Sequence, residues 1–88
     1  MSYRVIFAPQ ANRDLVDLWV ESDYQREFTE AVDGLVRDLE REPLAVGESR
    51  SASRRVALSW PVGIAFQIDA AAQQVTIYDL WTFAKRGR

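Results

Sequence analysis

Two stretches of the chain carry apolar residues at helical spacing. In the first, which covers residues 9–21, they recur at intervals of four, three and one: Ala11, Leu15, Leu18 and Trp19. In the second they fall at i, i+3, i+4, i+7, i+8 and i+11: Phe28, Ala31, Val32, Leu35, Val36 and Leu39. Pro9 suits the first position of a helix, and Pro43 forbids continuation of one. Ser22 and Gln25 have the spacing of a capping box, which predicts a new helix start and therefore a helical hairpin.

Four strands are predicted. The one before the hairpin follows from a β-branched and aromatic run that Pro9 closes, and the three after it follow from alternating apolar and polar positions. The strands cover residues 3–7, 54–60, 63–69 and 74–83. Turn residues between the last three make them successive antiparallel neighbours. Residues 44–53 are mostly small and polar, so we expect a surface loop there.

The alternation also assigns a face to each side chain of the strands. Val56 and Leu58 of the second strand are predicted to face the helices. Arg55 and Ala57 of the same strand then point the other way. The residues of the third strand that are predicted to face the helices are Ile64, Phe66 and Ile68. In the fourth strand Asp79 falls on the apolar face, so a β-bulge is expected near it.

Together these elements predict one α+β domain over residues 1–88 with the order βααβββ. The helical hairpin packs on one face of a mainly antiparallel sheet, and functional residues are expected on the open face. Gly34 is expected to allow close approach of the first helix to the second, since it lacks a side chain. Trp19 and Trp81 are expected in the core because of their spacing.

The composition removes several classes of chemistry. The chain has no cysteine and no histidine, which excludes disulfides, thiolate catalysis and the commonest metal ligands. We therefore expect no metal and no cofactor. The apolar run near the N-terminus is too short for a signal peptide or a membrane span, so a cytoplasmic location without membrane contact is expected.

Charge is distributed unevenly along the chain. Residues 1–40 carry four Arg against nine acidic residues, whereas residues 41–88 carry seven basic residues against four acidic ones. A phosphate-binding surface would therefore lie in the C-terminal half. The basic residues grouped around the loop, the second strand and the chain end are Arg50, Arg54, Arg55, Lys85, Arg86 and Arg88. A net charge of −2 argues against strong non-specific binding to nucleic acid.

Three segments carry a resemblance to a known family. The chain opens with YRVIFAPQANRDL and a helical hairpin, continues with GESRSASRRVALSWPVGIAFQID, and closes its last strand in AKRGR. This order resembles the RelE/ParE toxins of bacterial type II toxin–antitoxin pairs over nearly the whole chain. The resemblance implies a toxin whose growth inhibition is neutralised by a cognate antitoxin.

In the mRNA-cleaving, ribosome-dependent branch, the resemblance implies basic residues that stabilise charge on the scissile phosphate. The RNA 2′-hydroxyl is the nucleophile, so neither a metal nor a protein nucleophile is required. The matching positions are Arg55 and Arg86, which are expected to lie within reach of each other on the open face. Ala57 and Gly63 stand where two further basic residues are usual. Arg55 is also expected to be exposed, so its replacement by alanine would change the free energy of unfolding by no more than about 0.5 kcal/mol.

The nuclease site therefore looks depleted, and three functions stay open. Loss of one charge-stabilising donor commonly slows such reactions by roughly 10²–10³-fold, so efficient cleavage would need substitutes. The weaker candidates for that role are Arg54, Tyr78 and Lys85. The ParE branch resembles this fold used to inhibit DNA gyrase without a hydrolytic site, and we favour this or a weakened activity. The alternatives are an mRNA endonuclease acting on translating ribosomes and an inactive binding or adaptor module.

Two residues are candidates for contact with the antitoxin. Trp60 lies next to Pro61 at a turn, where a core position is hard to arrange, and Arg50 lies in the polar stretch. Buried aromatic anchors supply much of the binding energy of protein interfaces. The other interpretation of Trp60 is that it covers the edge of the sheet against the loop.

Overall fold

The computed structural model describes residues 2–51 and 53–84. Strand β1 (Arg4–Phe7) leads into helix α1 (Pro9–Glu21), helix α2 (Gln25–Arg41) and a short 3-10 helix (Pro43–Ala45). Four strands follow: β2 (Glu48–Ser51), β3 (Arg54–Ser59), β4 (Val62–Asp69) and β5 (Gln74–Thr82). Both helices end where the sequence predicts. Helix α2 ends before Pro43, which prevents it from continuing.

The strands form one five-stranded sheet in the order β1-β5-β4-β3-β2. Strand β1 runs parallel to β5, and the remaining neighbours are antiparallel. The two helices pack on one face of this sheet, which confirms the predicted α+β architecture. The last strand in sequence, β5, is thereby a central strand between β1 and β4.

The predicted surface loop is wrong in one respect, since residues 48–51 form the edge strand β2. All four residues are exposed and pair with β3, with a register shift between Ser49 and Ser51. An exposed edge strand tolerates polar residues on both faces, so it shows none of the alternation that marks a half-buried strand. The composition of this segment therefore resembles that of a loop.

The predicted capping box is also wrong, although the helix break lies in the expected place. Helix α2 begins with Tyr24 at its N-cap and without a side-chain cap. The hydroxyl of Ser22 instead accepts from the Tyr24 N–H at 2.9 Å, and the Gln25 side chain donates to the Trp19 carbonyl at 3.0 Å. Both residues thus stabilise the turn between the helices.

The apolar stripe of α2 supplies the helical half of the core. Its buried residues are Phe28, Ala31, Leu35 and Leu39, and they cluster with the sheet residues Ile64, Phe66, Ile68, Val75 and Ile77. Apart from its chain neighbours and the backbone of its own helix, no described atom lies within 4 Å of the position that a Cβ of residue 34 would take, so the expected role of Gly34 in close helix packing is wrong. It borders a cavity between α2 and β3 instead.

The predicted faces of β3 are reversed. Arg55 lies opposite Phe66 and Ala57 lies opposite Ile64, so both point towards the helices. Leu58 lies opposite Gly63 on the open face and is 62% exposed. The small Ala57 side chain is buried, at 4% exposure. Pairing with β4 fixes the register here, and it outweighs the greater hydrophobicity of Val56 and Leu58.

The β-bulge expected in the last strand is present at Tyr78. Phe66 pairs with Ile77 and Ala65 pairs with Asp79, which leaves Tyr78 as the extra residue. The bulge moves Asp79 to the open face and Leu80 into the core.

The expected core positions of two tryptophans are wrong. The bulge in β5 carries Trp81 to the open face, where its side chain is half-buried. Trp19 is 41% exposed on α1, and its indole N–H donates to the Thr29 hydroxyl at 3.1 Å. Periodicity correctly places Trp19 beside α2, but it does not distinguish the centre of a helix interface from its rim.

Candidate functional site

The open face of the sheet is mostly neutral. Its central part is formed by residues that the register of β3, β4 and β5 places together: Val56, Leu58, Gly63, Ala65, Gln67, Thr76 and Trp81. Among the described residues that the register assigns to this face, the charged ones are Arg4, Arg54, Glu48, Asp69 and Asp79. These residues give the open face two positive and three negative charges, a balance that disfavours close approach of a phosphate chain.

Two of the candidate residues meet on this face. The Arg54 guanidinium lies over the ring of Tyr78, at 5.4 Å from the ring centroid. The bulge in β5 presents Tyr78 on this side, and β3 presents the exposed Arg54 beside Gln67. A cation over an aromatic face is held electrostatically and keeps its charge, so Arg54 can still contact an anion. The catalytic roles of both residues stay predictions.

The expected position of Arg55 on the open face is wrong. Its side chain lies on the helix side and is partly buried, because the residue pairs with Phe66. The guanidinium donates to the Val46 carbonyl at 2.9 Å and to the Gly47 carbonyl at 3.0 Å. Arg55 therefore holds the segment before β2 against β3. Its predicted partner Arg86 and the weaker candidate Lys85 lie outside the described residues.

These hydrogen bonds change what is expected of Arg55→Ala. Two backbone carbonyls lose a charged donor, so we expect the free energy of unfolding to fall by about 2 kcal/mol. The neighbouring substitution Arg54→Ala removes one exposed cation–π contact and should cost about 0.5–1 kcal/mol. Urea denaturation of both variants measures the difference. Equal losses in the two variants would contradict the structural role of Arg55.

The two positions that lack the usual basic residues are occupied in different ways. A Cβ at residue 63 would collide with Cε2 and Nε1 of Trp81, so the indole covers this backbone position. Ala57 is buried on the helix side, so a longer side chain there would not reach the open face. Neither position can therefore present a cation on the open face, because one is covered by the indole and the other points to the helix side.

Trp60, one of the two candidate partner contacts, lies away from the open-face centre. Its ring makes an edge-to-face contact with Tyr24, with 5.1 Å between the ring centroids. Both rings border a cavity of about 470 Å³ between the end of α1 and the end of β5. Tyr24 was missed by the sequence patterns, because the contact joins residues far apart in the chain. Arg50 is exposed in the edge strand β2, at its register shift.

The described residues contain no group of three or more His, Cys, Asp or Glu side chains that could hold a metal ion. Within the same ranges, neither α1 nor α2 is long and apolar enough to cross a membrane.

Comparison with known proteins gives matches among solved structures. No protein-family model matches the chain, and no curated protein is significantly similar in sequence. A chain of the toxin–antitoxin complex RelBE2 from Mycobacterium tuberculosis is 28% identical, with a TM-score of 0.79. That match covers 97% of this chain and 95% of the other.

Two further matches have lower identity and support the fold alone. A chain of the chromosomal ParDE system from P. aeruginosa is 14% identical with a TM-score of 0.68, over 94% of this chain and 98% of the other. The isolated RelE toxin of E. coli is 12% identical with a TM-score of 0.68, over 97% of this chain and 88% of the other. The chain thus has the fold of the RelE/ParE toxins, with two helices on one face of a five-stranded mixed sheet.

Proposed function

We propose that this chain is the toxin component of a type II toxin–antitoxin module, and that a cognate antitoxin binds and neutralises it in the cytoplasm. The observation that carries the proposal is the likeness to a chain of the RelBE2 toxin–antitoxin complex, at 28% identity over 97% of this chain and 95% of the other. A fold alone does not fix function. Sequence identity over nearly the full length of both chains supports a shared role more strongly than a shared scaffold does.

We further propose that the toxin acts by binding a protein, with DNA gyrase as the target, rather than by cutting mRNA. Cleavage without a metal depends on several cations aimed at one phosphate. Within the described chain, the open face offers Arg54 close to Tyr78, while Arg55 is bonded to backbone carbonyls on the other side. The exposed Leu58 and the half-buried Trp81 give this face the character of a protein-binding surface.

One observation favours the second candidate function, a weak mRNA endonuclease. The Arg54–Tyr78 pair places a cation and a phenol together on the face where substrate RNA would lie. These two groups would stabilise charge on the phosphate and leave proton transfer to the phenol or to water. The rate would be low because the other donors are absent from the described part of this face.

Expression of the chain in bacteria tests the toxin proposal. We expect growth to stop after induction, and co-expression of the antitoxin from the neighbouring reading frame to restore it. Phe66→Asp is the matched control, since it places a charge in the core and should abolish both folding and toxicity. Normal growth with folded protein in the cell would reject the toxin proposal.

The same cells distinguish the two targets. Gyrase inhibition should give DNA damage and filamentous cells, with toxicity retained in Arg54→Ala. A nuclease should give cleaved mRNA and rapid arrest of translation, both lost in Arg54→Ala and in Tyr78→Phe. Message cleavage within minutes of induction would reject the binding mechanism.

A further inference from the structure

The cavity that Tyr24 and Trp60 border lies at the end of the molecule where the two helices join, apart from the centre of the open face. It has a volume of about 470 Å³ and lies between the end of α1, the turn before α2 and the end of β5. Its apolar lining includes three aromatic residues, Tyr24, Trp60 and Phe83. Tyr24 is 52% exposed, and it meets Trp60 edge to face at 5.1 Å. An exposed tyrosine in contact with a tryptophan at a cavity mouth offers π surface to a ligand.

The same cavity is lined by two carboxylates and by no cation among the described residues. Glu21 and Asp23 stand on the two sides of Ser22, where α1 ends, and both are exposed. Within residues 2–51 and 53–84, neither carboxylate forms an ion pair or a hydrogen bond through its side chain. The last turn of α1 contains no basic residue to offset the negative end of the helix dipole.

We propose that this cavity binds the guanidinium group of an arginine side chain presented by a partner protein. Aromatic faces attract cations, and the exposed ring of Tyr24 supplies such a face at this cavity. Arginine fits better than lysine because its planar group can stack on a ring while its N–H donors bind a carboxylate. The helix terminus adds a third favourable interaction with positive charge. The proposal does not depend on the toxin proposal, because arginine binding can be measured on the folded protein whether or not that protein is toxic.

NMR titration of the full-length chain with N-acetyl-arginine methylamide tests the site. The chain has three tryptophans in different environments, and each gives one indole N–H signal. We expect saturable shifts of the Trp60 signal, assigned with Trp60→Phe, with a Kd on the order of millimolar. Trp19 and Trp81 should not shift, because neither lines this cavity. The uncharged, nearly isosteric citrulline derivative should not bind.

Variants of the two carboxylates complete the experiment. Glu21→Gln and Asp23→Asn should each weaken binding by about threefold, the size expected for an exposed ion pair. Asp17→Asn, which removes an exposed acid of α1 away from the cavity, should leave the Kd unchanged. Equal shifts of all three indoles, equal binding of the citrulline derivative, or unchanged binding in both carboxylate variants would overturn the proposal.

One further outcome concerns a competing occupant from the chain itself. The full-length variant K85Q/R86Q/R88Q removes the three basic residues that follow Ala84. We expect it to bind the arginine derivative as the original chain does. Binding that appears only in this variant would identify the chain's own basic residues as the occupant and would overturn the assignment to a partner.

Discussion

Replacing Gly63 with arginine, the basic type usual in the nuclease branch, is expected to lower the free energy of unfolding by about 3 kcal/mol. The new Cβ would collide with the Trp81 ring, so the indole must move before any longer side chain fits. Urea denaturation measures the loss. Gln67→Arg is the matched control, since it adds the same side chain at an exposed position of the same strand and face. It should change stability by no more than about 0.5 kcal/mol.

A second substitution shows whether Trp81 is the cause. In the double variant Gly63→Arg with Trp81→Ala the ring is absent, so the added arginine no longer collides with it. We expect the penalty of Gly63→Arg to fall below about 1 kcal/mol when it is measured against Trp81→Ala alone. An unchanged penalty would show that the backbone at residue 63, and not the indole, excludes side chains.

The second large effect is expected for Gly47→Ala, with a loss of about 3 kcal/mol of stability. Gly47 has a φ of +66°, which other residues adopt only at a cost, and a Cβ there would meet the Val56 carbonyl oxygen. The substitution should therefore separate the start of β2 from β3. Gly34→Ala is the control within the same cavity lining, because a Cβ at residue 34 meets no described atom within 4 Å outside its own stretch of helix.

The control variant Gly34→Ala should be more stable than the original chain, whereas Gly47→Ala should be less stable. Alanine favours the helical backbone over glycine, so Gly34→Ala should raise the free energy of unfolding by about 0.5–1 kcal/mol. Guanidinium denaturation and thermal midpoints of the two variants, measured side by side, check the opposite signs. A loss of stability in Gly34→Ala would mean that the added methyl group collides with neighbouring atoms. An unchanged stability in Gly47→Ala would mean that β2 contributes little to the stability of the fold.

Arg55 and Gly47 should also be energetically coupled. The Arg55 guanidinium bonds the Gly47 carbonyl, so displacing this segment by Gly47→Ala removes a contact that Arg55→Ala would remove as well. We expect the double variant to lose less stability than the sum of the two single losses. Strict additivity would show that the two interactions act on separate parts of the chain.

The helices were predictable because their signals are local. Pro9 and Pro43 bound the helical region, and the stripe from Phe28 to Leu39 has a single compatible period. The bulge near Asp79 was predictable for a similar reason, since one charged residue interrupts an apolar alternation that must continue on the far side.

The faces of β3 were not predictable from its own residues. Val56 and Leu58 are more hydrophobic than Ala57, so the alternation by itself favours their burial. The observed register is fixed by contacts with β4, which place Arg55 opposite the buried Phe66. A residue pattern distinguishes the two faces of a strand, but pairing with the neighbouring strand determines which face packs against the helices.

The residues of the candidate site depend on which face of β3 packs against the helices. The family resemblance points to Arg55 of β3, whereas the register gives the open face Arg54. The aromatic contacts of Tyr78 and Trp60 join segments that are distant in sequence, with Arg54 and Tyr24 respectively. Such pairs leave no periodic signal, so they emerge only when the sheet and the helical hairpin are assembled.

The position of β5 also affects how the protein is made. Residues 74–77 pair with residues 4–7 on one side, and β4 pairs with β5 on the other, so the sheet joins the beginning of the chain to one of its later segments. Contacts between distant segments form late and slowly in folding. During translation the α1–α2 hairpin can form early, but β1 has no strand beside it until β5 has left the ribosome. The nascent polypeptide therefore lacks its complete sheet, and with it the open face, until residues 74–82 have been synthesised and have left the ribosome.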